Sequence, residues 1–318
     1  MPAENLAGRA LASYRLLERI GEGGTATVYR AEHADRGTCA VKVLRERMRA
    51  DKVAVKRFLR EADYGSRVSH ENVVQTYDYG EADGLYYLAL EWAEGEPLAS
   101  YAERSGPLDP RLVAHIIAQL AGALSVAHEA GIVHRDLKPE NIMFDPTTRT
   151  AKLLDFGIAR DQQEDPAERL TRSGFFVGSL NYVAPEALSG ALVGEAADTY
   201  SLATIAYYLL TGEHPYGGRS PREIFQQLLT QPARPMRETA VGSRLSPALE
   251  ATIMRALSRE PGDRHPTIRA FADDLQRAAT ETAPSAPRGR PAAPEEGVGG
   301  GGGLLGSLKS LFHRKREG

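Results

Sequence analysis

The sequence is poor in cysteine, in long apolar runs and in net charge. Its 318 residues include one cysteine, Cys39. No disulfide can form within the chain, which fits a reducing compartment, and Cys39 reads as a small buried hydrophobe. No run of about 18 apolar residues occurs, so no transmembrane helix is expected. The opening M-P-A-E-N-L-A-G-R-A lacks the apolar core of a signal peptide, and the expected location is cytoplasmic. The net charge of −3 does not suit a chain built to bind nucleic acid. There is no internal repeat. What is present is an ordinary globular balance, 42% hydrophobic and 25% charged, with length for one large domain or two modest ones.

The first part of the chain is strand-like. Residues 14–20, 26–32 and 38–44 are short apolar runs separated by the turn signals G-E-G-G and A-D-R-G. A charged, helix-like segment follows at 50–68, then strand character at 73–79 and 85–91. After E-W-A-E-G the pattern changes to helices. Residues 109–130 carry Leu112, Ile116, Leu120 and Leu124 at a spacing of four. A hairpin is expected from 141–144 and 151–154, and further helices near 196–211, 221–230, 246–258 and 267–279. Between them, 158–183 is long and irregular, and loops of that length are usually functional. Residues 281–303 read as a linker, Pro/Ala-rich and then Gly-rich, ahead of a short tail at 304–318.

Several polar groups stand where an ordinary fold would not put them. G-E-G-G-T-A-T-V, from Gly21 to Val28, places glycines between two strands, where backbone N–H groups can lie over phosphates. Lys42 interrupts an apolar strand, so it must reach water or an anionic partner, and Glu61 on the next helix is available. I-V-H-R-D-L-K-P-E-N-I packs six polar side chains between apolar flanks, and D-F-G follows at 155–157. Phosphoryl transfer needs groups that hold phosphates, cations that neutralise them and a carboxylate that orients the attacking hydroxyl. Mg2+ takes oxygen ligands and keeps several waters, so the amide of Asn141 and the carboxylate of Asp155 suffice for it. Asp136 is then left to accept a proton, and Lys138 to neutralise charge on the transferred group.

With these motifs in order, the chain resembles a protein kinase, more narrowly a bacterial eukaryotic-like (Hanks-type) serine/threonine kinase. A-P-E at 184–186, D-T-Y-S-L-A at 198–203 and P-G-D-R at 261–264 extend the match, which covers roughly residues 12–280. The resemblance implies an α+β bilobal fold, with a β-rich N-lobe carrying one helix (12–92) and a mainly α-helical C-lobe (93–280). It implies ATP with Mg2+ (or Mn2+) as cofactors and proteins with Ser/Thr acceptors as substrates. Lys42 would bind the α- and β-phosphates and pair with Glu61. Asp136 would be the catalytic base, Lys138 its Ser/Thr-type companion, and Asn141 and Asp155 the metal ligands. The nucleotide pocket would be lined by Ile20, Gly21, Glu22, Gly23, Gly24, Val28 and Ala40 from the N-lobe. Leu90 would be its gatekeeper, Glu91 to Ala93 its hinge, and Glu140 and Met143 its lower wall. His134 and Phe156 would pack and orient. Glu186 would pair with Arg264, and Asp198 would brace the catalytic loop.

Departures from the family pattern are few. Ala26 replaces the third loop glycine, and Ser179 replaces the usual threonine. Gly65 sits one turn after Glu61, where glycine weakens a helix by about 1 kcal/mol relative to alanine. That suggests a helix able to move and a Lys42–Glu61 pair that acts as a switch. Arg135 implies a phosphorylated activation loop, with Thr171 and Ser173 as acceptors and self-association for autophosphorylation in trans. In the tail, Leu304, Leu305, Leu308, Leu311 and Phe312 share one helical face beside H-R-K-R. It reads as a helix on an anionic membrane surface, a docking helix for a partner protein or for the kinase's own lobe, or a disordered end. Two other functions compete with an active kinase: a catalytically inactive kinase-fold scaffold, and a small-molecule kinase on a related fold. The presence of Lys42, Asp136, Asn141 and Asp155 together opposes the scaffold.

Overall fold

The computed structural model describes residues 5–154, 179–188, 193–218 and 220–281. Asp155 with the rest of D-F-G, Thr171, Ser173, the linker beyond Glu281 and the whole tail lie outside the described residues.

Six antiparallel strands form the first lobe: β1 (Ala10–Leu11), β2 (Tyr14–Glu22), β3 (Ala26–His33), β4 (Gly37–Leu44), β5 (Thr76–Ala82) and β6 (Leu85–Glu91). Their order in the sheet is β1-β2-β3-β4-β6-β5. The period-two alternation of β4 sorts its side chains. Cys39, Val41 and Val43 join Tyr14, Leu16, Tyr29 and Tyr87 in one apolar cluster, which Leu6 and Leu11 complete from ahead of residue 12. Ala40 and Leu44 point the other way, into a cluster with Leu88, Leu90 and two helix residues, Phe58 and Ala62. Lys42 shares that second face.

The helix expected at 50–68 is α2 (Lys52–Arg67), and a separate short helix, α1 (Glu46–Arg49), precedes it. Asp51 divides them because its carboxylate caps α2, accepting from Val53 N at 2.8 Å and Ala54 N at 3.3 Å. The strand expected to begin at residue 73 begins at Thr76. Val73 instead bridges Leu153 in parallel, with Val74 N donating to Leu153 O and Leu153 N to Asn72 O. Those backbone groups are thus satisfied in the second lobe, not in the sheet.

The second lobe opens with β7 (Glu96–Pro97) and α3 (Leu98–Ser105), then α4 (Pro110–Glu129), β8 (Ile142–Asp145) and β9 (Thr150–Leu153). Strands β7, β8 and β9 form a small antiparallel sheet. Gly95 lets the chain reach it: φ is +98°, and a Cβ there would lie 2.2 Å from Phe144 O. Helices α5 (Glu195–Thr211), α6 (Pro221–Thr230), α7 (Pro247–Ala256) and α8 (Ile268–Thr280) complete the lobe. Ser220, Ser246 and Thr267 cap the last three. By length and hydropathy α4 could cross a membrane. Here Val113, Ile116, Ile117, Leu120 and Leu124 of α4 are buried in the core of the helical lobe with Tyr200 and Ile205 of α5 and Phe271 and Leu275 of α8. The architecture is α+β and bilobal, as the sequence implied.

Candidate active site

Lys42 lies centrally in the sheet, opposite Val28 on one side and Leu88 on the other. Its Nζ donates to Glu61 Oε1 at 2.9 Å, and both side chains are mostly buried. A lone ammonium on this apolar face would be costly, and the carboxylate offsets that cost. Phe58 and Ala62 seat α2 on the sheet and so place Glu61. Gly65 has a role beyond weakening the helix. A Cβ there would lie 2.9 Å from Thr76 Oγ1, so the glycine permits α2 to close on β5. An alanine at 65 would therefore change packing as well as helix propensity.

Of the residues expected to line the nucleotide pocket, Ala40 and Leu90 share the sheet face of Lys42. Leu90 belongs to the inner cluster, and Ala40, Ala93 and Leu154 pack against it. Ile20 is half exposed, and Gly21 to Gly24 form the end of β2 and its turn. Met143 lies on β8 and is half-buried, while Glu140 is exposed. Glu91 is tied down by its side chain, which accepts from Gln75 N at 3.1 Å and pairs with Lys152 of β9.

The polar stretch from Ile132 to Ile142 is pinned from beneath. Asp198 on α5 is fully buried. It accepts from His134 N at 2.8 Å and Arg135 N at 2.9 Å, and lies 2.8 Å from His128 Nε2. Arg135 adopts φ +65°, a left-handed conformation that costs a non-glycine residue free energy. The Asp198 bonds and the buried flanks Ile132, Leu137 and Ile142 hold it there. Above them, Asp136 Oδ2 meets Lys138 Nζ and Asn141 Nδ2, each at 3.3 Å. Asn141 Nδ2 also donates to Asp136 O at 3.0 Å. Both of these side-chain bonds engage the amide nitrogen, and neither uses Asn141 Oδ1. That is the hard-oxygen donor that Mg2+ takes, so Asn141 fits the expected ligand set. Asp155, the other expected ligand, is outside the described residues.

Further out, Arg264 and Glu186 form a two-pronged pair, both prongs 2.7 Å. Glu186 lies in the turn Pro185–Leu188, just after the turn Ser179–Tyr182. Beside them His214 stacks on Tyr208 and meets Tyr182 edge-on. Burial pushes the His214 imidazole down to about 4.

Several of these residues escaped the motif reading. His128 lies near the end of α4, outside the motifs. Asn72 and Gln119 join the lobes, Asn72 Nδ2 donating to Gln119 Oε1 and to Ala151 O, each at 2.8 Å. Arg45 and Arg47 bond the glycine-rich turn. The available signal for Gln119 was a polar side chain among apolar neighbours, whereas His128 and Asn72 each adjoin a glutamate. The arginines lie in an ordinary charged run.

Comparison with known proteins agrees with this geometry. Residues 14–275 match the protein kinase domain family. The chain is 39% identical over 276 residues to serine/threonine-protein kinase pkn3 of Myxococcus xanthus, covering 85% of this chain and 50% of that one. It is 36% identical to PknB of Mycolicibacterium smegmatis, covering 86% and 44%, and 35% identical to PrkC of Bacillus subtilis, covering 83% and 40%. The chain therefore spans half or less of the length of these relatives. Among solved structures, the PknI kinase domain of Mycobacterium tuberculosis superposes with a TM-score of 0.66 at 29% identity, covering 86% of this chain and 98% of that one. The chain belongs to the protein kinase family, and these curated relatives are bacterial serine/threonine kinases.

Proposed function

We propose that residues 12–280 form a kinase domain that transfers the γ-phosphate of ATP to Ser and Thr hydroxyls of proteins. The observation that carries this is the loop pinned on Asp198, which gathers Asp136, Lys138 and Asn141 around one carboxylate oxygen. Asp136 orients the acceptor hydroxyl and takes its proton as the oxygen bonds to phosphorus and the bridge to ADP breaks. A positioned base of this kind contributes about 10²- to 10⁴-fold. Lys138 screens charge on the group in transit, and its place two residues after Asp136 favours Ser/Thr acceptors. Lys42, held by Glu61, binds the α- and β-phosphates. The glycine-rich turn covers them, and Leu90 and Glu91 to Ala93 hold the adenine. Asn141 and Asp155 would hold Mg2+ (or Mn2+), which when bound neutralises phosphate charge.

Activation follows from Arg135 and the loop hydroxyls. Phosphate on Thr171 and Ser173 would give that arginine a dianionic partner, and two copies of the chain would phosphorylate each other. The basic, apolar tail supports attachment to an anionic membrane surface, with the protein cytoplasmic or peripheral at the inner face. Co-sedimentation with anionic liposomes, with and without residues 304–318, tests that reading against a partner-protein role. The function is tested by incubating the purified chain with labelled ATP and Mg2+ and identifying the phosphoamino acids. Phosphoserine and phosphothreonine are expected, with none from Asp136→Asn. A wild-type chain that incorporates no label would end the proposal.

A further inference from the structure

The glycine-rich turn is held by two arginines that no kinase motif includes. The β3–β4 ladder ends with Ala26 opposite Leu44. Beyond it, three successive carbonyls are occupied. Thr25 O accepts from Arg45 N at 2.9 Å, Gly24 O from Arg47 Nη2 at 2.8 Å and Gly23 O from Arg45 Nη1 at 3.1 Å. Arg45 Nη2 also reaches Glu22 Oε1 at 2.7 Å, and Arg19 Nη1 reaches Glu22 Oε2 at 2.9 Å. The turn's own closure is a single bond, Gly23 N to Ala26 O at 2.8 Å.

We propose that Arg45 and Arg47 are positioning residues that aim the N–H groups of the glycine-rich turn at the nucleotide phosphates. This rests on the ATP-dependent reading above and adds two residues to it. Glycines have the most backbone freedom to lose, and three of the four residues 21–24 are glycine. Unclamped peptide planes there would turn in many directions. In a trans peptide the carbonyl and the following N–H point opposite ways in one plane. Holding Gly23 O and Gly24 O therefore fixes the N–H groups of Gly24 and Thr25 on the far side. Among the described residues neither N–H meets a backbone acceptor. Outward N–H groups from successive residues are what a phosphate oxygen requires.

Charge points the same way. Glu22 at the mouth of the turn would repel an incoming triphosphate. Arg19 and Arg45 each pair with one of its oxygens and offset that repulsion. Arg45 can serve Gly23 O and Glu22 together because its guanidinium is a planar fork, whereas a lysine is a point charge. Its side chain is only 23% exposed, so these bonds are screened less than most surface pairs.

The test compares ATP with adenosine, which has no phosphates. Affinities for both are measured by calorimetry on the full chain, wild type against Arg45→Ala/Arg47→Ala, with thermal melts alongside. Arg15→Ala is the charge control, since Arg15 pairs with Glu32 at the sheet surface and holds no turn carbonyl. In the double variant ATP should bind about tenfold more weakly while adenosine changes less than about twofold. The KM for ATP should rise more than kcat falls, and Arg45→Lys should recover only part of the loss. Equal weakening of ATP and adenosine, unchanged ATP affinity, or an Arg15→Ala effect as large as that of the double variant would overturn the proposal. Failure of the kinase reading itself would look different: the wild-type chain would bind ATP but transfer no phosphate.

Discussion

Removing the carboxylate of Glu186 should destabilise the helical lobe by more than any surface pair could. Arg264 is fully buried, and its five N–H groups all have acceptors. Two go to Glu186, and the others to the carbonyls of Ser258, Ala196 and Arg259. The guanidinium also lies 4.9 Å from the centre of the Tyr200 ring. In Glu186→Ala the cation stays buried with its counter-charge gone, a change that costs about 3–5 kcal/mol. For a domain of this size each kcal/mol moves Tm by about 2–4 °C, so the fall should be about 6–20 °C. Differential scanning calorimetry reads it directly. Glu186→Gln should fall less, because it keeps one acceptor. The double variant Glu186→Leu/Arg264→Met should lose less than the two single changes added together, because it leaves no orphaned charge. A Glu186→Ala protein melting within about 2 °C of wild type would refute the reasoning.

Two further perturbations follow from packing. His214 is held neutral by burial, with its imidazole at about 4 against an ordinary 6.5, so below pH 6.5 the unfolded chain takes up a proton that the folded chain refuses. Stability should thus fall as pH drops from 6.5 toward 4, by about 2 kcal/mol at pH 5 relative to neutral pH. His214→Phe should flatten that part of a Tm-versus-pH curve, and an unchanged curve would show that the proton uptake lies elsewhere. Gly65→Ala should lower both Tm and activity, because its Cβ meets Thr76 Oγ1 at 2.9 Å. Gly65→Ala/Thr76→Ala should regain most of the loss in both assays; no recovery would mean that the α2–β5 approach is not the cause.

Most of the site was legible because its chemistry is carried by short runs. H-R-D-L-K-P-E-N holds Asp136, Lys138 and Asn141 within six residues, and one loop can bring them together. Lys42 and Glu61 could be paired from the sequence because a lysine on an apolar strand face demands an anion. Helix α3 was missed because eight residues give too little periodicity to register. The start of β5 was misplaced because Val73 and Val74 are as β-prone as a strand, yet pair with Leu153 across the lobes. Gly65 illustrates the same limit: local propensity speaks of a weakened helix, but its close approach to Thr76, eleven positions along, leaves no local signal. Arg45 and Arg47 left no local trace, since a bond to a backbone carbonyl asks nothing of the acceptor's side chain.

The measurement that bears most directly on Asp136 is phosphate transfer by Asp136→Asn, with ATP affinity determined in parallel on the same preparation. If Asp136 is the base, kcat should fall by about 10³-fold or more while ATP affinity stays within about threefold of wild type. An Asp136→Asn protein that transfers phosphate at close to the wild-type rate would contradict the assignment of the base and the mechanism built on it.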